Sequence, residues 1–199
     1  MTEERILVLG VGNVLQRDEG IGPRIVEEIE RHYQLPLHVQ VVDAGTMGLG
    51  MLYLLRDVDY LLVADAVRGT GHAPGTVLRI SPEAFAPNQV IHSLHDMRLV
   101  DVLQAAQLIG IEPQTECIGV ELEDISAGEF SIGLTETLER SVPRAVAAVL
   151  MLLEERGVVA QESEPGDDLA RVFRDQVRVA WDEMRERRER TGSSADHDF

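Results

Sequence analysis

Lysine is absent from the 199-residue sequence, and all 18 basic residues are arginine. Against 35 acids they leave a formal net charge of -17, a field that repels phosphate backbones and anionic bilayers and attracts basic peptides or divalent cations. Nucleic acid and membrane are therefore not expected as partners. Acidity alone names no ligand, because a negative surface also serves solubility. Cysteine occurs once, at Cys117, so the chain can form no internal disulfide and no thiolate metal cage of its own. Its place in the apolar run 116–120 suits buried filler better than a nucleophile. No apolar run approaches the ~20 residues that span a bilayer, and the opening MTEERILVLG carries neither a basic region nor a cleavage pattern. The expected location is the cytoplasm.

What is present reads as one packed domain with a tail: 44% hydrophobic and 27% charged residues are ordinary for a globular chain. Short apolar, β-branched runs at 5–10, 39–43, 60–64, 76–80 and 117–120 predict strands, several of them covered on both faces. Between them Ile21, Ile25, Val26 and Ile29 predict one helix, and Met97, Val100, Leu103, Ala106 and Leu108 a second, with Ser93 and Asp96 as its capping box. A third is expected from about Thr135 to Arg156, kinked or divided at Pro143. The alternation predicts an α/β fold with a mostly parallel sheet, whose ligands bind at the carboxyl ends of the strands. A boundary is expected near Ala160, giving residues 1–159 as the α/β domain and 160–199 as a charged amphipathic helix with a disordered-looking end. In that helix Glu183/Arg187 and Glu186/Arg190 are spaced as ion pairs, and a helix laid against the domain is favoured over a docking helix for a partner.

The first strand runs into GVGNVLQRDEGIG (10–22), which imitates a dinucleotide fingerprint. Its third glycine would fall at Leu15, and the turn delivers Asp18 and Glu19 where a pyrophosphate needs the bare positive end of a helix. A nucleotide-dependent oxidoreductase is thus a weak alternative. Each acid taken singly could merely complement a helix dipole. However, Asp65 closes the strand YLLVADA, Asp43 closes the strand before a glycine-rich turn, and His95 falls in the first turn of the second helix. Glu19, Asp65 and His95 together offer an O, O, N donor set suited to a borderline divalent ion with open positions. His92 competes for the third place, whereas His32, His38, His72 and His197 are expected to be solvated. Segment 47–56 is expected to be either a mobile lid or an ordinary packing helix.

These pieces, in order, resemble the hydrogenase maturation proteases. The matching residues are ILVLGVGNVLQRDEGIG (6–22), the DAGT turn at 43–46, VADA at 63–66, APGT at 73–76, HDMRLVDVL at 95–103 and GLT at 133–135. The resemblance covers about Arg5 to Val159 and finds no counterpart for the tail. It implies a three-layer fold, a twisted five-stranded sheet with helices on both faces. It also implies an endopeptidase that removes the C-terminal extension of the [NiFe] hydrogenase large subunit precursor, with nickel delivered in that precursor and recognised through Glu19, Asp65 and His95. Asp43 and Asp18 are expected as supporting catalytic acids; either Asp43 acts as general base on water in an aspartic-type reaction or the metal polarises the scissile carbonyl or activates the water, and Asp18 has a helix cap as its other reading. No Ser/His/Asp, Cys/His or H-E-x-x-H arrangement competes. A non-catalytic nickel-dependent chaperone on the same scaffold is the principal alternative.

Overall fold

The computed structural model describes residues 3–80, 99–124, 130–164 and 166–191. Strands β1 (Ile6–Val11) and β4 (Tyr60–Val67) are buried at every position. They are two of the three interior strands of a five-stranded sheet, with β2 (Tyr33–Gln34) lying outside it and β3 (Val39–Gly45) at one edge. On the other side β6 (Gln114–Glu121) runs parallel to β4, and β5 (Val77–Ile80) closes the edge antiparallel to β6. The four parallel strands therefore bring their carboxyl ends to one edge, where the turns after them gather.

Alternation of side chains along the strands divides the core in two. Leu62, Ala64 and Ile118 face helices α1 (Ile21–His32) and, later in the chain, Val146 and Val149. Leu61, Val63 and Cys117 face α2 (Met51–Leu54) and α3 (Leu99–Leu108). The segment after the DAGT turn is a packing helix: Met51 and Leu55 are buried, while Leu49 and Tyr53 are exposed. The expected start of the second helix at Ser93 to Met97 lies outside the described residues. No helix among the described residues is long and apolar enough to cross a membrane.

Helix α4 (Glu136–Glu155) is continuous through Pro143, contrary to the expected division. A proline inside a helix costs about 3 kcal/mol. Val142, Val146, Val149 and Leu153 are all buried on its inner face, each worth roughly 1.5–3 kcal/mol, so packing outweighs the missing hydrogen bond. Beyond it β7 (Gln161–Glu162) pairs antiparallel with β2, and α5 (Asp168–Thr191) lies against α4. Val177, Ala180 and Met184 of α5 are buried in the α1/α4 core, and Arg174 donates to the Ser163 carbonyl at 2.6 Å. Glu183 pairs with Arg144 of α4, and Glu186 lies 3.9 Å from Arg190.

His32, expected to be solvated, is buried instead. Its ring stacks on Phe173 of α5 with centroids 4.9 Å apart, and its Nε2 lies 2.8 Å from the buried carboxylate of Glu28. The tail, through Phe173, covers one face of the ring.

The approach of α1 to the sheet depends on glycine. A Cβ on Gly22 would overlap the carbonyl oxygens of Val11 and Ala64, and one on Gly10 would come within 2.5 Å of the Gly22 carbonyl. Both obstacles are backbone, so no rotamer change relieves them. Gly22→Ala is expected to destabilise the fold by about 3 kcal/mol despite alanine's better helix propensity, measured as a lower urea midpoint. Met184→Ala in α5 is expected to cost about 2–3 kcal/mol by leaving a cavity, and an unchanged midpoint would show that α5 adds nothing to the core.

Candidate active site

From Val11 the chain turns through Asn13, whose side chain accepts from the Leu15 amide at 3.0 Å, and enters a 3-10 turn over Arg17–Gly20. Arg17 adopts a left-handed conformation, φ 51°. The two acids that follow are both buried, Asp18 completely and Glu19 to 3% exposure. Glu19 is held by its neighbours: its amide donates to the Gln16 carbonyl at 3.2 Å. The Gln16 side-chain amide, with its nitrogen turned inward, donates to Glu19 Oε2 at 2.8 Å. Gly12 sits between this turn and β3. Its amide donates to the Gly45 carbonyl at 3.0 Å, and a Cβ there would overlap the Glu19 carbonyl.

Asp65 lies fully buried near the end of β4, in register with Gly119 of β6, and its Oδ1 accepts from the Ala66 amide at 2.8 Å. It follows the parity of Val63 and Val67 and so faces the α2/α3 side. His95 and His92 lie outside the described residues; the chain is described again from Leu99, at the head of α3 on that same side. Among the described residues, no three His, Cys, Asp or Glu side chains are grouped to hold a metal ion.

Asp43 takes the other parity. It follows Val39 and Val41 toward α1 and accepts from the Gly45 amide at 2.8 Å. There it remains exposed and lines a cleft of about 440 Å³ with Val14, Arg17, Arg24, Ile132 and Glu139. Asp43 and Asp65 therefore emerge on opposite faces of the sheet, joined across its edge by the Gly12 and Glu19 turn.

Asp18 differs from all of these. Its carboxylate accepts from the amides of Thr135 (2.7 Å), Asp124 (2.8 Å) and Glu123 (3.3 Å), and from the Thr135 hydroxyl (3.1 Å). Thr135 is in turn the N-cap of α4. The sequence assigns no site role to two further residues, Thr135 and Glu121. Thr135 stood within the GLT motif, which was its signal. Glu121, 8% exposed at the end of β6, accepts from the amides of Gly69 and Thr70 and from the Thr70 hydroxyl, the last at 2.6 Å. An acid closing an apolar strand, as Asp65 does, was the signal for it.

The glycine-rich turn thus packs helix on strand and buries two acids, leaving no cradle for a pyrophosphate. Glu19 and Asp65, both buried at this edge, carry carboxylate oxygens of the type that ligate a divalent cation. The sequence profile described as "Hydrogenase maturation protease" matches residues 23–152. The Hydrogenase 2 maturation protease of Escherichia coli strain K12 is 42% identical over 160 residues, covering 78% of this chain and 94% of that protein. This chain belongs to the hydrogenase maturation protease family. It is a peptide-bond hydrolase, and its fold is that of the family: the hydrogenase maturating endopeptidase HybD from E. coli superposes with a TM-score of 0.71 at 41% identity, over 79% of this chain and 97% of that one. A hydrogenase expression/formation protein HupD of Bradyrhizobium diazoefficiens is 33% identical over 191 residues, 92% of this chain and 96% of its own length. An alignment of that extent continues past Ala160 into α5, so the tail does have a counterpart within the family.

Cys117 stays out of the chemistry. Burial, and secondarily the negative charge of Asp65, push its thiol well above the ordinary range, so at pH 8 it carries no reactive thiolate. Iodoacetamide is expected to leave the native protein unmodified and to add one label after unfolding in urea, read by intact mass; labelling of the native protein would show the β4/β6 face to be open.

Proposed function

We propose that this protease removes the C-terminal extension of the [NiFe] hydrogenase large subunit precursor after nickel has been inserted, and that it recognises the nickel as part of its substrate. What supports this reading most is the pair of buried acids, Glu19 and Asp65, presented by adjacent elements at the carboxyl edge of the sheet. In a chain with net charge -17, such a pair favours a cation already held by the partner over any anionic ligand. With His95 they make up the proposed O, O, N set, which leaves coordination positions to the precursor's own thiolates. This fits a metal that arrives as cargo and stays with the product.

For the hydrolysis itself, water adds to the scissile carbonyl carbon, the C–N bond breaks and the proton passes to the leaving amine. Asp43 is the proposed general base, because it is the member of the acid set exposed to water. The alternative of a non-catalytic chaperone shares the binding and lacks the cut. The proposed location of the reaction is the cytoplasm.

The test is intact mass spectrometry of the precursor, nickel-loaded and nickel-free, before and after incubation with the protein. Loss of one C-terminal peptide from the loaded form alone is expected; a stable complex without any mass change would leave only the chaperone. Glu19→Gln, Asp65→Asn and His95→Ala are each expected to reduce processing at least a hundredfold with the circular dichroism spectrum unchanged. Wild-type turnover by any one of them would remove that residue from the site.

A further inference from the structure

Asp18 neighbours the proposed nickel-recognising acid, yet its surroundings are those of a structural joint. No part of it reaches solvent. Oδ1 receives the Thr135 amide, and Oδ2 receives the Asp124 and Glu123 amides together with the Thr135 hydroxyl. A general base needs a lone pair directed at water or substrate, and here four donors from within the protein already occupy the carboxylate. The donors come from two segments remote in sequence, the turn after β6 and the N-cap of α4. Two backbone bonds reinforce the join, from the Arg17 amide to the Ser131 carbonyl at 2.7 Å and from the Ser131 amide to the Leu15 carbonyl at 3.0 Å. The left-handed conformation of Arg17 is one a non-glycine residue keeps only under tertiary restraint. The Asp18 cluster supplies that restraint one residue before Glu19.

We infer that Asp18 is a positioning residue: its buried carboxylate locks the Arg17–Gly20 turn to Glu123, Asp124 and Thr135, and thereby sets the direction in which Glu19 meets the metal carried by the substrate. The inference rests on the proposed role of Glu19. Asp18 then takes no proton in the reaction, and its loss acts on recognition and not on bond cleavage.

The experiment compares wild type, Asp18→Asn, Thr135→Val, Thr135→Ser and the Asp18→Asn/Thr135→Val pair in steady-state cleavage of nickel-loaded precursor, with rates expressed per folded molecule from circular dichroism. Asp18→Asn turns an acceptor into a donor facing other donors, so KM is expected to rise at least tenfold while kcat changes less than threefold. Thr135→Ser, which keeps the hydroxyl, should match wild type. Thr135→Val should shift KM in the same direction, and the double variant should be no worse than Asp18→Asn alone, because the two act as one unit. A hundredfold fall in kcat at constant KM would overturn the inference by putting Asp18 in the chemistry, and so would unchanged KM and kcat in a folded variant.

Amide hydrogen exchange separates this inference from the functional reading. If wild type leaves the precursor intact, the functional reading fails, and exchange still decides the joint. Asp18→Asn should speed exchange at the Glu19 and Thr135 amides at least tenfold, and unchanged rates there would overturn the positioning role. Should Asp18→Asn fail to fold, Thr135→Val carries both measurements.

Discussion

Helix α1 meets the sheet at backbone distance, and the geometry of the acid edge follows from that contact. With Gly10, Gly12 and Gly22 all lacking side chains where backbone carbonyls press closest, the chain leaves β1, makes a single short turn and lies down across β1 and β4. The turn has no room to stand away from the strands. Its acids are forced inward, which is why Asp18 and Glu19 are buried although they sit in a surface connection. Burying carboxylates is costly unless they are paired or hydrogen-bonded. Asp18 meets that requirement with four donors, and Gln16 supports Glu19.

The distribution of charge separates scaffold from site. Many of the arginines form ion pairs on helix surfaces or between α4 and α5, as in Arg144 with Glu183 and Arg188 with Glu155. Such exposed pairs contribute little individually and keep a very acidic chain compatible with close packing. Asp65 and Asp43 stand near the ends of strands that are otherwise largely apolar.

Buried strands were legible because a parallel sheet covered on both faces demands unbroken apolar runs, and all five runs are strands within a few residues of their expected ends. The helical stripes of α1 and α4 were legible for the matching reason of period. Acids that close apolar strands, Asp65 and Asp43, could be placed at the edge from chain order alone. Their opposite facing could not, because it depends on strand parity around the turn. Asp18 reads in the sequence as an acid beside another acid, since its partners stand 105 to 117 positions away. His32 reads as a surface residue for the same kind of reason: Phe173 of α5, which stacks on its ring, lies far along the chain.

By itself the sequence determined the alternation of strands and helices, the family, and the edge at which chemistry is to be sought, because these depend on local periodicity and on short ordered motifs. Tertiary structure decided that the Asp18 carboxylate is saturated by protein donors while Asp43 stays exposed, which face of the sheet each acid occupies, and that α4 survives its proline. Those outcomes are set by contacts between segments far apart in the chain, where burial and the need to satisfy every buried polar group override what any local stretch prefers.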